Sequence, residues 1–486
     1  MNDQTNVHKN WTLFAACLGT FMLLIDVTIV IVALPSIRDS LHTSFSDVQW
    51  TIDAYSLTLA SLLLAMGSLG DIIGRRRLFA GGLAIFTLGS LLCALSTSGL
   101  MLVLCRAFQG IGGATLYPTS LALLAQTFHG KERGFAFGIW GAVAGAASGI
   151  GPLLGGLLTS ELSWRWIFYV NLPIGALAIL ITLTRVQEFR PAKARSIDIP
   201  GVVVFTAGLF ALVYGLIESS RDGWGSTHVV VALALSVVLL AAFPLLERTR
   251  REPMFDLRLF RKPTFVGGSL AAFGMNGSLF AMLLYITLYL QNSQGYSPLG
   301  AGLRQAIITF AMMLTAIPAG RASQRVSARW LIGPGLVFVG VGLLLMRGIT
   351  ADSSWTHLLP GFLVAGFGAG LVNPPLASTA IGVVPPRDAG MASGINSTFR
   401  QVAIATAIAA LGSIFAHGLA GATSVTIHAD YASTLNELLL IAACVAFVTG
   451  LAALALIRRR DFVQQGVPPV GASQPQPSAE PQPVPH

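Results

Sequence analysis

The chain has 486 residues, of which 54% are hydrophobic and only 10% charged, with a mean hydropathy of +0.71 and a formal net charge of +9. Soluble globular proteins carry about 25% charged residues. This composition therefore excludes a water-soluble enzyme, which would lack polar surface, and a disordered chain, which would carry far fewer apolar residues. The positive charge is sparse and forms no long run, which argues against nucleic acid as a partner.

A membrane-crossing helix needs about 20 largely apolar residues, and fourteen such stretches follow one another along the chain. The first six run over residues 11–35, 49–70, 78–97, 100–125, 134–158 and 166–184. The next two run over 199–219 and 228–246, and the last six over 264–290, 299–320, 330–349, 357–384, 391–416 and 435–457. The first is too long for a signal-peptide core. Ser96-Thr97-Ser98-Gly99 marks a turn between the third and fourth. Cys17, Cys93, Cys105 and Cys444 all lie in apolar stretches and read as buried thiols.

Charge placement supports fourteen spans. With the N-terminus in the cytoplasm, the cytoplasmic segments hold 23 of the 30 Lys and Arg, the outer loops four, and the spans three: Arg106, Arg304 and Arg400. That is a positive-inside bias, with both termini expected in the cytoplasm. The Pro- and Gln-rich tail, 458–486, has no hydrophobic period and is expected to be disordered and cytoplasmic.

The loop after the second span reads Gly67-Ser-Leu-Gly-Asp71-Ile-Ile-Gly74-Arg75-Arg76-Arg77, and an echo, Gly320 to Arg329 with Gln324 in place of the acid, follows the tenth. Two short basic loops after corresponding spans suggest two related halves. The expected division is a six-helix bundle at 1–185, a two-helix insert with its flanking loops at 186–263, and a second six-helix bundle at 264–457.

At this point the sequence resembles a known family. Gly67–Arg77, Arg106-Ala-Phe-Gln109-Gly110 and Gly149-Ile-Gly151-Pro152-Leu-Leu-Gly155-Gly156 are similar to signatures of the major facilitator superfamily. The segments from Asp26 to Pro35 and from Trp164 to Gly175 are similar to signatures of its fourteen-helix drug:proton antiporters. Ile31 departs from the Asn usual there, and Asp53 looks more like the quaternary-ammonium efflux pumps. Those pumps carry further acids in the second half, whereas spans nine to thirteen here contain none, which speaks against dications as substrates. The resemblance implies an all-α integral membrane protein. It would be a secondary transporter in the cell membrane, working by alternating access with no cofactor, exporting a small lipophilic or cationic substrate against protons, and monomeric.

The residues agree with transport. There is no GxxxxGK[ST] phosphate loop, no His/Cys metal pattern and no nucleophile–base constellation, so the chain does not read as an enzyme. Ionisable groups at membrane depth cost about 2.5–3.5 kcal/mol or more. Asp26 and Asp53 are the acids well inside spans, and with Arg106 they are the candidates for proton coupling. The alternative is a static pair that orders the helices. The loop residues Gly67, Asp71, Gly74, Arg75 and Arg76 are candidates for a gate at the cytoplasmic face. There Asp71 would meet a helix N-terminus or an arginine. Alternatively, the arginines set topology only. Gly141, Gly145, Gly149, Gly151, Gly155 and Gly156 leave one face of the fifth span nearly bare, with Pro152 allowing a bend, so this face is a candidate hinge and seal. Phe21, Tyr55, Tyr117, Trp140, Tyr285, Tyr289 and Arg400 are candidate pocket residues. Two other functions stay open: a dedicated exporter of one endogenous metabolite or antibiotic, and a receptor built on a transporter scaffold.

Overall fold

The computed structural model describes residues 2–128, 130–188, 198–250, 253, 255–323, 325–384, 389–420, 422–423 and 426–462. Fourteen long helical segments stand where the apolar stretches predict them. They are α1 (Asn2–Leu41), α2 (Phe45–Ile73), α3 (Arg75–Ala94), α4 (Gly99–Thr127), α5 (Gly130–Glu161), α6 (Trp166–Arg185, broken near Val170) and α7 (Ile199–Asp222). The rest are α8 (Thr227–Thr249), α9 (Pro263–Ser293), α10 (Pro298–Ala322), α11 (Arg329–Leu345), α12 (Leu359–Gly382), α13 (Ala389–Gly418) and α14 (Ile427–Leu456). Among the described residues there is no strand, and eleven of the helices are both long and apolar enough to cross a membrane. Helix α9 carries wide π turns at Asn276–Phe280 and Tyr289–Ser293.

Polar residues set the helix starts. Ser44 and Asp47 form a reciprocal cap on α2, Ser98 accepts from the N–H of Met101 on α4, and Ser297 accepts from that of Gly300 on α10. The start of α1 and the residues just after α14 lie at one end of the bundle. His8 bonds the Arg185 carbonyl at 2.9 Å, and Asp461 accepts from the Thr264 hydroxyl at 2.7 Å. This is the terminal end; the turns at Thr43 and Ser98 are at the distal end.

Helices α1–α6 meet α9–α14 along two main seams. Helix α5 packs on α10 so closely that a Cβ on Gly156 would lie 2.7 Å from Leu299 Cα, and one on Gly302 would strike the Pro152 carbonyl. Ser160 accepts from the Leu299 N–H at 3.0 Å, which places this contact at the distal end. The second seam joins α2 to α13, where Gln49 Nε2 donates to the Ile408 carbonyl at 3.1 Å and Thr398 donates to that of Ala60 at 3.3 Å. The inserted pair, α7 and α8, leans on this seam: Ser219 bonds Ser413 at 3.0 Å, and Trp50 packs on Phe210 with centroids 5.5 Å apart.

One expectation needs correction. Cys17, Cys93 and Cys105 are buried free thiols, but Cys444 is exposed on the outer face of α14. An apolar stretch establishes burial in a bilayer, not burial in the protein.

Candidate functional site

The strongest polar cluster lies inside the first six helices. Asp26 on α1 is fully buried and Arg106 on α4 is 1% exposed. Arg106 donates from one terminal nitrogen to Asp26 Oδ2 at 2.6 Å and to Gln109 Oε1 at 2.7 Å, and from Nε to the Thr51 carbonyl on α2 at 3.1 Å. Asp26 Oδ1 accepts from Gln109 Nε2 at 2.9 Å and from Asn171 Nδ2 on α6 at 3.2 Å. Ser90 on α3 accepts from both amides, at 2.8 and 3.2 Å. The Tyr55 ring covers the guanidinium, with 4.1 Å from Cζ to its centroid. Five helices thus meet around one carboxylate. A buried pair of this kind survives only when its remaining lone pairs and protons are also satisfied, and here two amides and a backbone carbonyl do that.

Sequence reasoning found Asp26 and Arg106. Gln109 stands there only as a letter of a motif, Asn171 only inside the Trp164–Gly175 segment, and Ser90 is not singled out. Neutral side chains carry a small membrane penalty, so nothing in composition flags them. Their signal is spacing: Gln109 sits three residues after Arg106, on the same helical face.

Asp53 is not part of this network. It lies one helical turn from Gln49 on α2, fully buried at the seam with α13. Neither of its carboxyl oxygens has a hydrogen-bond partner, nor does Gln49 Oε1. Tyr285 on α9 bonds the same Ile408 carbonyl as Gln49, at 2.5 Å, and lies within electrostatic reach of Asp53. The donors nearby, Gln49 Nε2 and the Tyr285 hydroxyl, are spent on that carbonyl.

The loop between α2 and α3 turns at Gly74, whose φ of +108° is costly for any residue with a side chain. The turn lets Glu188, after α6, reach the start of α3: its carboxylate accepts from the N–H groups of Arg76 at 3.0 Å and Arg77 at 3.2 Å. Arg75 donates to the Ala122 carbonyl at 3.3 Å, and Arg76 to that of Leu183 at 2.9 Å. Glu188, which the sequence does not single out, is therefore an acid at this helix N-terminus among the described residues. The side chain of Asp71, the surroundings of Gly67, Gly145 and Gly149, and residue Gln324 of the echo lie outside the described residues. So does the tail after Phe462.

On α5, Gly151 and Gly155 face Thr28 and Ile29 of α1, Gly156 faces α10, and the Pro152 carbonyl faces Gly302. The aromatic candidates divide among separate places. Tyr117 and Trp140 pack edge-on at 5.5 Å, and Trp140 donates to Thr20, beside half-buried Phe21, at 2.7 Å. Tyr55 belongs to the Asp26 network and Tyr285 to the α2–α13 seam. Tyr289 accepts from Gln294 near the distal end, and Arg400 donates to Asn396 at 3.4 Å. At the distal tip of the insert, ligand atoms of Glu218, Asp222 and His228 lie within 4.8 Å of one another, and His228 pairs with Asp222 at 2.9 Å.

Two six-helix groups that meet along close-packed seams, with a buried ion pair inside the first, match the two-bundle arrangement of a family of membrane transporters. The chain belongs to the Major Facilitator Superfamily, whose model matches residues 16–408. It is 38% identical over 406 residues to the multidrug resistance protein Stp of Mycobacterium tuberculosis, covering 83% of this chain and 75% of that one. It is 36% identical to the puromycin resistance protein of Streptomyces alboniger, covering 83% and 81%, and 38% identical to the cephamycin export protein CmcT of Amycolatopsis lactamdurans, covering 84% and 85%. Among solved structures, a bacterial homologue of the human lysosomal transporter Spinster, inward-facing and unoccupied, matches with a TM-score of 0.63 at 17% identity, covering 94% of this chain and 99% of that one.

Proposed function

We propose that this chain is a proton-coupled antiporter that exports amphipathic drugs, antibiotics or cationic dyes by alternating access, with both termini in the cytoplasm. The observation that carries the proposal is the Asp26–Arg106 pair, buried among five helices and held by neutral amides. A proton arriving at Asp26 removes its charge and frees Arg106, so protonation and helix arrangement are coupled through one contact. Asp53, without a donor at the seam, is the second acid of this reading. A proton crossing about 100 mV releases about 2.3 kcal/mol, and a tenfold pH gradient adds about 1.4 kcal/mol, enough to drive uphill export. Gly74, Arg75, Arg76 and Asp71 act as the cytoplasmic gate, and the bare face of α5 as hinge and seal. The relatives' names, which speak of drug resistance and antibiotic export, support the substrate class.

The test is a drug-accumulation panel in a pump-deficient bacterium, with and without a protonophore, for the wild type and Asp26→Asn. The expected result is wild-type export that collapses with the protonophore, and none in the variant at equal membrane abundance. Full-rate uphill export by Asp26→Asn with a pH difference as the only driving force refutes the coupling role. A second reading, one dedicated substrate, is favoured by relatives named for single antibiotics; activity on one compound alone across the panel would establish it.

A further inference from the structure

The insert carries a second buried acid pair that the transport reading does not use. Asp198 precedes α7 and is 8% exposed, and Glu247, in the last turn of α8, is 2% exposed. Each has one oxygen satisfied by backbone. Asp198 Oδ1 accepts from the Gly201 N–H at 3.0 Å, and Glu247 Oε2 accepts from that of Phe255 at 3.0 Å. The other two oxygens, Asp198 Oδ2 and Glu247 Oε1, are buried and have no donor. They converge: a Cβ on Gly201 would lie 2.6 Å from the first and 2.5 Å from the second. Both oxygens therefore lie around one point, no farther apart than those two distances together.

We infer that Asp198 and Glu247 form a proton-binding site separate from the transport acids, one proton held between their facing oxygens, and that this proton clasps the insert to the α2–α13 seam. Two ionised carboxylates this close repel each other, whereas one proton turns the contact into a short charge-assisted hydrogen bond. Among the described residues, Arg250 is the charged group that reaches the pair, with Nε 3.5 Å from Asp198 Oδ1. Arg248, Arg258 and Arg261 are exposed, and Asp256 accepts from the Arg258 N–H. On neighbouring elements, Lys262 donates to the Val383 carbonyl and Arg400 to Asn396. Arg250 offsets one negative charge, which leaves the second carboxyl to the proton.

The clasp has a route to the seam. Glu247 holds the backbone of Phe255, whose ring stacks on Phe260 at 6.0 Å and meets Phe399 of α13 at 6.5 Å. Thr398, the preceding residue, bonds α2. A group that binds its proton more tightly folded than unfolded adds stability at low pH and loses it as pH rises. The clasp is therefore closed in acid and released toward alkaline pH.

The experiment uses purified full-length protein in lipid nanodiscs, independent of any transport assay, so its failure is distinct from failure of the proposed function. Thermal unfolding is followed against pH for the wild type, Glu247→Gln and Glu247→Ala. The amide of Glu247→Gln donates to Asp198 Oδ2 at every pH, so its profile is expected to be flat and to lie above the wild type at alkaline pH. Glu247→Ala should lie below both in acid. A Glu247→Gln profile that tracks the wild type overturns the inference. Infrared difference spectra of the wild type, from acid to alkaline buffer, should show loss of a protonated-carboxyl band that shifts on isotopic labelling of Asp or Glu and is absent in Asp198→Asn. If neither amide variant folds, the wild-type band that shifts on labelling of Glu alone decides, since Asp26 and Asp53 cannot give it and Glu247 is the buried glutamate among the described residues; its absence, or stability that follows an added cation instead of pH, overturns the site.

Discussion

Adding Asp26→Asn to Arg106→Ala is expected to restore stability that Arg106→Ala loses. Arg106→Ala removes the guanidinium from a fully buried carboxylate. Gln109 and Asn171 still donate, but both to Oδ1, so Oδ2 is left bare. Truncating one partner of a buried pair costs about 3–5 kcal/mol. Asp26→Asn alone has a different fault. Its new amide nitrogen faces either Arg106 or the two amide donors, a donor–donor contact costing about 1–3 kcal/mol. In the double variant these faults cancel. Gln109 Oε1, which accepts from Arg106 in the native protein, is freed to accept from the new amide. The new carbonyl keeps Gln109 and Asn171, and no charge is buried. What persists is the cavity and the bare Thr51 carbonyl. The expected coupling is about 2–3 kcal/mol in favour of the double variant. The assay is thermal unfolding by tryptophan fluorescence, in one detergent at neutral pH, of all four proteins. The double variant should melt above Arg106→Ala while remaining inactive in export. If it melts at or below Arg106→Ala, Asp26 does not hold a charge that depends on Arg106, and the coupling argument loses its basis.

Three further outcomes are expected. Asp53→Asn should keep membrane abundance and thermal stability, since the native carboxyl has no donor to lose, yet lose export driven by a pH gradient; undiminished uphill flux would reduce Asp53 to a structural residue. Gly302→Val places carbon against the Pro152 carbonyl, an overpacking that costs about 1–3 kcal/mol. It should raise labelling of a cysteine introduced at Ser160 by a membrane-impermeant maleimide, and unchanged labelling would contradict a tight distal seam. Asp71→Asn, as a gate variant, should change substrate affinity by no more than a few fold while turnover falls; a large affinity loss at normal maximal turnover would place Asp71 in the pocket instead.

The helices were legible because each apolar run is long and bounded by polar or turn residues. Ser98 starts α4, as the Ser-Thr-Ser-Gly turn predicts. Ends diverge where helix outlasts apolarity. Helix α1 continues past Pro35 to Leu41, and α14 begins at Ile427, eight residues before its apolar run, because polar turns at a membrane surface remain helical. Helix α11 stops at Leu345, and Gly348 turns the chain at a φ of +84°. In the site, ionisable residues stood out by their membrane cost. Ser90, which organises the pair, did not. Asp198 and Glu247 were hidden for the opposite reason. Both sit at span ends, where an acid reads as solvated, and only the folded loop carrying Phe255 reveals that they are buried. Separation along the chain conceals such contacts: Asp26 and Asn171 are 145 residues apart.

The two seams also differ in what it takes to open them. Every ion pair described lies within one helix group, the insert or a chain end, and none joins α1–α6 to α9–α14. At the distal end the halves are held by close backbone approach, by Ser160 and by Gln291 of α9, which donates to the Val32 carbonyl of α1 at 2.9 Å, so among the described residues separating them there costs van der Waals contact and two neutral hydrogen bonds. The α2–α13 seam is different because Asp53 lies in it. While closed, it offers an ionised Asp53 no donor; once open, water supplies several. On the proposed reading a proton on Asp53 therefore supports closure of the seam and its loss supports opening, since each changes the free energy of the other. Asp26 has donors in the closed state and answers to Arg106 instead. On the proposed reading, two acids at different places, one answering to a partner and one to the seam, would let proton binding bias both the interior of one bundle and the contact between the two.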